Sequence, residues 1–390
     1  APSNRRADQD AIADLADVAL REGEEERALP IIDKAVAGVS VAHLWQWKGL
    51  LERSLDEHER ALASFGEAAR LDPANASIAH GRARVALEAG VPAEALFQLA
   101  LRLAPSDGSV LLGLAAARMA AGRGDRAEAE LDSVLGRSPL WVAGHHQLAQ
   151  LRSMLGKASL ATASLERAIR EQPRQAGLWQ ALFDLEVKRE NFGGLEEALD
   201  RARGAEIVAD VLRPYEAIAA SELGRTEEAD RLFAQNAEAG GPALAIWKIR
   251  HLLRSGRAEE ALPLIDHELA GLGAAHAWAY AGIAWRLTGD PRWDWLARDA
   301  ELISTFDLAD KLPPLGQLAD VLRSIHVAKG EYLDQSVRGG TQTDGPLFSR
   351  IEPELRVLRA AVVGAVERYV ANLPPADPNH PLLSHRRDRR

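Results

Sequence analysis

One position returns every 32 to 34 residues, and that regularity limits the chain to an array of like units. In three stretches a small residue precedes a proline by twelve: Ala61 and Pro73, Ala127 and Pro139, Ala161 and Pro173. Carried along the chain, the position falls on Ala28, Ala61, Ala95, Ala127, Ala161, Leu195, Ala229, Ala261 and Asp294. A fixed period of this size marks a repeat architecture, in which no unit can bury its apolar face alone and each shares it with its neighbours. Turn signals fall between the halves of the units at Gly23, Gly90, Gly122, Gly156, Gly224, Gly256 and Gly289. The prolines, lacking an N–H, stop the second half of a unit.

Within a unit the residue types keep an order. Trp45 and Trp179 open it, with Gly49 as a small residue four places on. Ala61 and Ala161 come next, then a large residue at Phe65 and Leu165, a small one at Ala68 and Ala168, and Pro73 and Pro173 at the end. The small residues let two helices approach and the large one plugs the gap above them. This order resembles the tetratricopeptide repeat, a helix-turn-helix of about 34 residues. The resemblance implies a mostly α fold: an α-solenoid of about nine units over residues 1–300, followed by a short mixed α and extended segment over 301–390. Units two, four and five match best. The third reads as shortened at Pro105, the sixth carries Leu195 where Ala is usual, and the ninth, at Asp294, is barely a repeat.

The resemblance also implies a concave surface lined by the first helices, where the family binds an extended peptide or a partner's tail. The family's facing positions fall here on His43, Gln46, Arg53, His80, Arg84, Glu88, His146, Gln150, Gln180, Asp184, Lys188, Glu222, Arg250, Arg254, His276 and Arg286. Six are basic and three acidic, a positive balance inside a segment whose own balance is negative. The partner expected is therefore a protein or peptide carrying acidic groups. Its expected contacts are Arg53, His80, Arg84, His146, Gln150, Lys188, Arg250, Arg254 and Arg286, with arginine forks as the recognition element. Solvated charged faces are the bland alternative. Trp45, Trp179 and Trp278 sit at the packing slot and read as core; Trp47, Trp247 and Trp285 suit either core or groove rim, core being commoner. Trp285, Trp293 and Trp295 read as a seal on the last unit.

Composition excludes several classes of function. The chain has no cysteine, so there is no disulfide framework, thiolate metal site or cysteine nucleophile, and a reducing, cytoplasmic setting is expected. A formal net charge of −10 argues against nonspecific nucleic-acid binding. The excess acid lies in the first 300 residues, because residues 301–390 hold twelve basic and twelve acidic groups. No run of 18 apolar residues occurs, so no membrane partner is expected. The opening APSNRRADQD has no apolar stretch of the kind a signal peptide needs. No Gly-x-Gly-x-x-Gly opens a helix, Gly156-Lys157 runs on to Ala158, and neither His-Glu pair has a second His four places later. Asn75-Ala76-Ser77 and Arg123-Gly124-Asp125 read as turns between helices.

After Pro313-Pro314 the period is lost. Leu315 to Ala328 reads as one amphipathic helix, 332–346 as irregular chain, and Glu352 to Asn372 as a second helix with Pro353 in its first turn. The stretch 333–343, Leu-Asp-Gln-Ser-Val-Arg-Gly-Gly-Thr-Gln-Thr, followed by Leu373-Pro374-Pro375, Asp377-Pro378 and His380-Pro381-Leu382-Leu383, resembles 2-oxoglutarate/Fe(II)-dependent oxygenases found in bacteria behind tetratricopeptide arrays. That resemblance implies a double-stranded β-helix with iron in a His-x-Asp/Glu plus distal His triad. None of the eleven histidines here is followed two places later by Asp or Glu. Residues 301–390 therefore read as a truncated amino-terminal part of such a domain, with the catalytic core expected beyond Arg390. No catalytic residue, metal ligand or cofactor is expected in this chain; Fe(II) and 2-oxoglutarate belong to the implied parent. His326, His380 and His385 lack a carboxylate at ligand spacing. The motif patch, Asp334, Gln335, Arg338, Gly339, Gly340, Thr341 and Gln342, has two readings. Either Arg338 offers a guanidinium to a carboxylate beside a nest of backbone N–H groups, or it is a structural arginine in a hairpin turn. Three functions follow: a non-catalytic peptide-binding scaffold, the substrate-recruiting part of an oxygenase, or a module that self-associates through the array ends.

Overall fold

In the computed structural model, which describes residues 2–38, 40–236, 241–271, 274–298, 300–333 and 335–384, the sequence period becomes a stack of helix pairs. α1 (Pro2–Glu22) pairs with α2 (Glu25–Gly38), α3 (Ala42–Ser54) with α4 (His58–Leu71), and α5 (Ala76–Glu88) with α6 (Glu94–Leu103). α7 (Gly108–Ala120) pairs with α8 (Gly124–Arg137), α9 (Val142–Met154) with α10 (Ala163–Glu171), and α11 (Ala176–Lys188) with α12 (Phe192–Gly204). α13 (Ala209–Glu222) with α14 (Thr226–Gln235) and α15 (Gly241–Arg254) with α16 (Ala258–Leu269) complete eight pairs. α17 (Ala274–Thr288) is a ninth first helix, followed by one π turn, Asp294–Arg298, where a partner helix would stand. Asp294 is exposed, so the ladder ends one rung earlier than its spacing suggested.

The corner inside each unit takes the left-handed conformation. Gly23, Gly90, Gly122, Gly156, Gly224, Gly256 and Gly289 have φ between 66 and 79°. Only glycine adopts this without a Cβ penalty. Units two and six have no glycine there, yet Asp56 (φ 59°) and Glu190 (φ 54°) adopt the same state.

Packing explains the small and large slots. Phe65 is fully buried, and a Cβ on Gly49 or Gly81 would come within 2.7 or 2.4 Å of its ring. One α4 side chain thus wedges between α3 and α5. In unit three the wedge is Phe97, against Gly113. Here the spacing needs correction: Ala93 is 4% exposed and leads to Phe97 and Ala100, repeating Ala61, Phe65 and Ala68, whereas Ala95 faces solvent. Pro105 then lies twelve residues past the true rung, and unit three is not shortened.

Successive first helices approach one another along the whole array, while among second helices only α8 and α10 do so closely. The first helices therefore lie on the inside of the curve. Asn75 starts α5 by accepting from the backbone N–H of Ser77 and Ile78, and Arg123 stands just before α8 without a side-chain capping bond, so both stretches read as turns are helix starts.

Beyond α17 come short 3₁₀ turns, α18 (Leu315–Ile325) and α19 (Pro353–Asn372). No strand occurs among the described residues. α18 stops before the expected Ala328, because Val327 and Ala328 leave the helix to pack against Met119, Leu151 and Met154. α19 ties unit two to the far end of the array. Arg356 pairs with Glu59 at 2.8 Å in unit two, and the Tyr369 hydroxyl donates to Leu302 O at 2.8 Å. Just past α19, Asp377 accepts from Trp295 Nε1 at 3.2 Å. A 20-residue helix is about 30 Å long, whereas seven steps between neighbouring helices at 8–10 Å each amount to roughly 60–70 Å. The array must bend to let α19 span it.

Among the described residues no helix is long and apolar enough to cross a membrane.

Candidate functional site

The inner face carries the polar residues expected of it, and most are held by neighbours from the next unit. Arg53 makes a two-point contact with Glu88, at 2.6 and 2.7 Å, across the α3–α5 seam. Arg84 reaches the same carboxylate at 3.9 Å and His58 at 3.3 Å. Burial alone raises the Glu88 carboxyl, but hydrogen bonds from His58 and Arg53 and the charges of Arg53 and Arg84 outweigh it and hold it at about 2. A second such cluster lies on the seam between units seven and eight. Glu222, from α13, accepts from Arg250 at 2.9 and 3.1 Å and from Arg254, both on α15. Arg250 also lies over the Trp247 ring, 5.3 Å from its centroid. Each cluster has two guanidinium groups on one carboxylate and so keeps a positive excess. Arg84 and Arg254 are the outer members, each about half exposed (51% and 48%).

The remaining positions do other work. Gln46 donates to Ser77 Oγ at 2.8 Å, His80 faces Phe97, and His146 Nε2 lies 3.4 Å from Ala181 O. Burial pushes the His80 imidazole down. Asp184 accepts from the Tyr215 hydroxyl at 2.5 Å, and burial together with Asp184 pushes that hydroxyl up. Lys188 and His276 are exposed, and Arg286 lies over Trp293. Of the six groove cations, four therefore face an acid of the groove itself.

The tryptophans divide differently from their spacing. Trp285 is buried (1% exposed), which removes it from the rim. Trp179 is buried, its Nε1 donating to Pro173 O, but Trp45 and Trp278 are only partly so. The terminal cluster is Trp278, Trp285 and Trp295, with ring centroids 6.1 to 6.5 Å apart, while Trp293 stacks with Arg286.

The C-terminal segment crosses the edge where first helices turn into second helices. Residues 329–333 meet unit five, Arg338 meets unit six, Ile351 donates to Ala89 O in unit three, and Ser349 Oγ lies 3.3 Å from Asp56 Oδ1 in unit two. Asp56 and Glu190, the two non-glycine corners, both touch it: Arg338 pairs with Glu190 at 3.3 Å and also donates to Lys188 O. Periodicity had no signal for this path.

The motif patch is engaged within the chain. Gly339, at φ 67°, donates its N–H to the Glu331 carboxylate, and His326 Nε2 lies 2.6 Å from Thr341 Oγ1. Gln335 N donates to Tyr332 O, and Gly340 and Gln342 follow on the same irregular stretch. Asp334 lies outside the described residues, as does His385. The residues do not fit the iron the resemblance implies. His326 is spent on Thr341, and His380 is buried against the Trp295 ring at 4.7 Å. Among the described residues no three His, Asp or Glu side chains converge as metal ligands.

Tetratricopeptide repeat models match residues 42–75 and 91–151. The first stretch is unit two; the second runs from α6 of unit three through unit four into α9 of unit five. Solved structures similar to the chain include a tetratricopeptide repeat protein from Parabacteroides merdae, 19% identical over 52% of this chain and 81% of that one, TM-score 0.38. Yeast Tom70 is 14% identical over 69% of this chain and 60% of its own, TM-score 0.44. YrrB, described as a repeat protein with an unusual peptide-binding site, is 21% identical over 46% of this chain and 95% of its own, TM-score 0.30. A search of curated proteins gave no match.

Proposed function

With tetratricopeptide repeats identified in the array, we propose that the chain is a non-catalytic scaffold whose inner face binds an extended, acidic segment of a protein partner. The observation that carries this is the pair of arginine clusters, on Glu88 and on Glu222. In each, one carboxylate orients two guanidinium groups and leaves one of them half exposed. Two Arg around one Glu hold their geometry without a ligand and retain charge for one. Because the clusters stand on separate seams, between units two and three and between units seven and eight, a partner that meets both must run across the hollow of the array. The alternative, an array recruiting substrate for a 2-oxoglutarate/Fe(II) oxygenase, rests on the motif resemblance alone; the same clusters would serve it.

The test is fluorescence anisotropy with labelled acidic, neutral and basic peptides of equal length. Acidic peptides should bind at least tenfold tighter, and the advantage should shrink with added salt. Arg250→Glu with Arg254→Glu should abolish it. Equal affinity for all three peptides would refute the proposal.

A further inference from the structure

The end of α9 holds a short stretch of the chain's own tail in the manner of a bound peptide. A helix leaves its last carbonyls without intrahelical donors. Met154 O accepts here from Lys329 N at 2.7 Å and Gly330 N at 3.2 Å. Ser153 Oγ donates to Glu331 O at 2.7 Å, and Gln150 Oε1 accepts from Leu333 N at 2.9 Å. Each of these bonds joins the α9 end to a main-chain atom of the tail. Selectivity comes from shape: a Cβ on Gly330 would lie 2.2 Å from Ser153 O, so only glycine fits. Tyr332 is 5% exposed, in an apolar notch shared with Met119, Leu151 and Met154. The fit is also incomplete. Gln150 Nε2 is buried under the segment with no acceptor, an unsatisfied donor that a better-placed carbonyl would satisfy. Residues 326–332 form no regular structure, so little internal bonding resists their release.

We propose that the α9 corner is a binding site for an extended Gly-x-Tyr-Leu segment, and that the chain fills it with its own residues 330–333. This rests on the groove reading above and adds its regulation. While the tail is seated, Gln150 is covered and Arg338 lies against Lys188 O and the Glu190 carboxylate, so the Gln150 end of unit five is closed to a partner while the Lys188 side chain stays exposed. A partner segment of the same pattern, with a carbonyl placed for Gln150 Nε2, would displace the tail and take the site.

The probe is a fluorescein-labelled synthetic peptide of residues 327–338, titrated against the full chain and against Gly330→Val. Trypsin, which cuts after Lys329 and Arg338, reports whether the tail is seated. The variant should be cut at least tenfold faster and bind the peptide at least tenfold tighter than the unaltered chain. The same peptide with Tyr332→Ala should not bind. Circular dichroism and the acidic-peptide assay serve as controls: retained helicity and Arg84/Arg254 binding separate failure here from failure of the groove reading. A released tail without peptide binding overturns the proposal, and so does equal binding to both chains. Tyr332→Asp is the second releasing variant, and a tail that stays seated in both variants overturns it equally.

Discussion

The Phe65 ring sits where two helices have given up their side chains. Replacing Gly81 by Ala sets two effects against each other. Helix propensity gains about 1 kcal/mol, while overpacking a filled core costs about 1–3 kcal/mol. The ring is fully buried and hemmed in by Gly49 on its other side, so it cannot step away and the clash wins. Gly81→Ala should lower stability by about 1–2 kcal/mol in urea unfolding, and the loss should disappear in a Phe65→Leu background. Glu88 gives a second residue-scale expectation. Its carboxyl lies at about 2 in the folded chain, below the ordinary 4.5, so the stabilisation is complete above pH 4.5 and lost as pH falls towards 2. Glu88→Gln should lose up to about 3 kcal/mol at pH 7, and its stability should converge with that of the unaltered chain by pH 2. Single residues also show how far the sequence could be read. The rule of a small residue twelve before a proline already selects Ala93 for unit three; stepping by period alone lands on the exposed Ala95. The pairing of Arg53 with Glu88 was hidden, because it links residues 35 apart that only the stacking of units brings together.

At the scale of elements the corners are the informative feature. Seven were legible as glycines, and two were not, because Asp56 and Glu190 adopt the left-handed state with a Cβ. Such a residue costs about 1–2 kcal/mol, and both touch the tail through their carboxylates. Glu190→Gly should therefore raise array stability by about 1 kcal/mol while making the Arg338 bond easier for trypsin. Glu190→Ala should loosen the tail without that gain. A chain in which both substitutions have the same stability would contradict the assignment of strain to this corner. The two helices past the double proline were legible from apolar spacing and from Pro353. The early end of α18 was not, because it depends on a notch assembled from α7 and α9.

For the whole molecule the connection made by α19 matters most. Repeat arrays are nearly one-dimensional, each unit resting on its neighbours, and they tend to unfold in stages. Here Arg356, Tyr369 and Asp377 join unit two to the region after unit nine. Arg356→Ala with Tyr369→Phe should enlarge the radius of gyration in small-angle scattering and split one unfolding transition into steps. An unchanged radius would show that the units alone set the curvature. An open stack of helix pairs is a soft spring, easily wound or stretched by what it grips. With its coils strapped across by one rigid rod, this spring should resist a pulling force until the strap gives way. It should then lengthen in a single jump, so that tension in a captured partner is met by stiffness first and by slack afterwards.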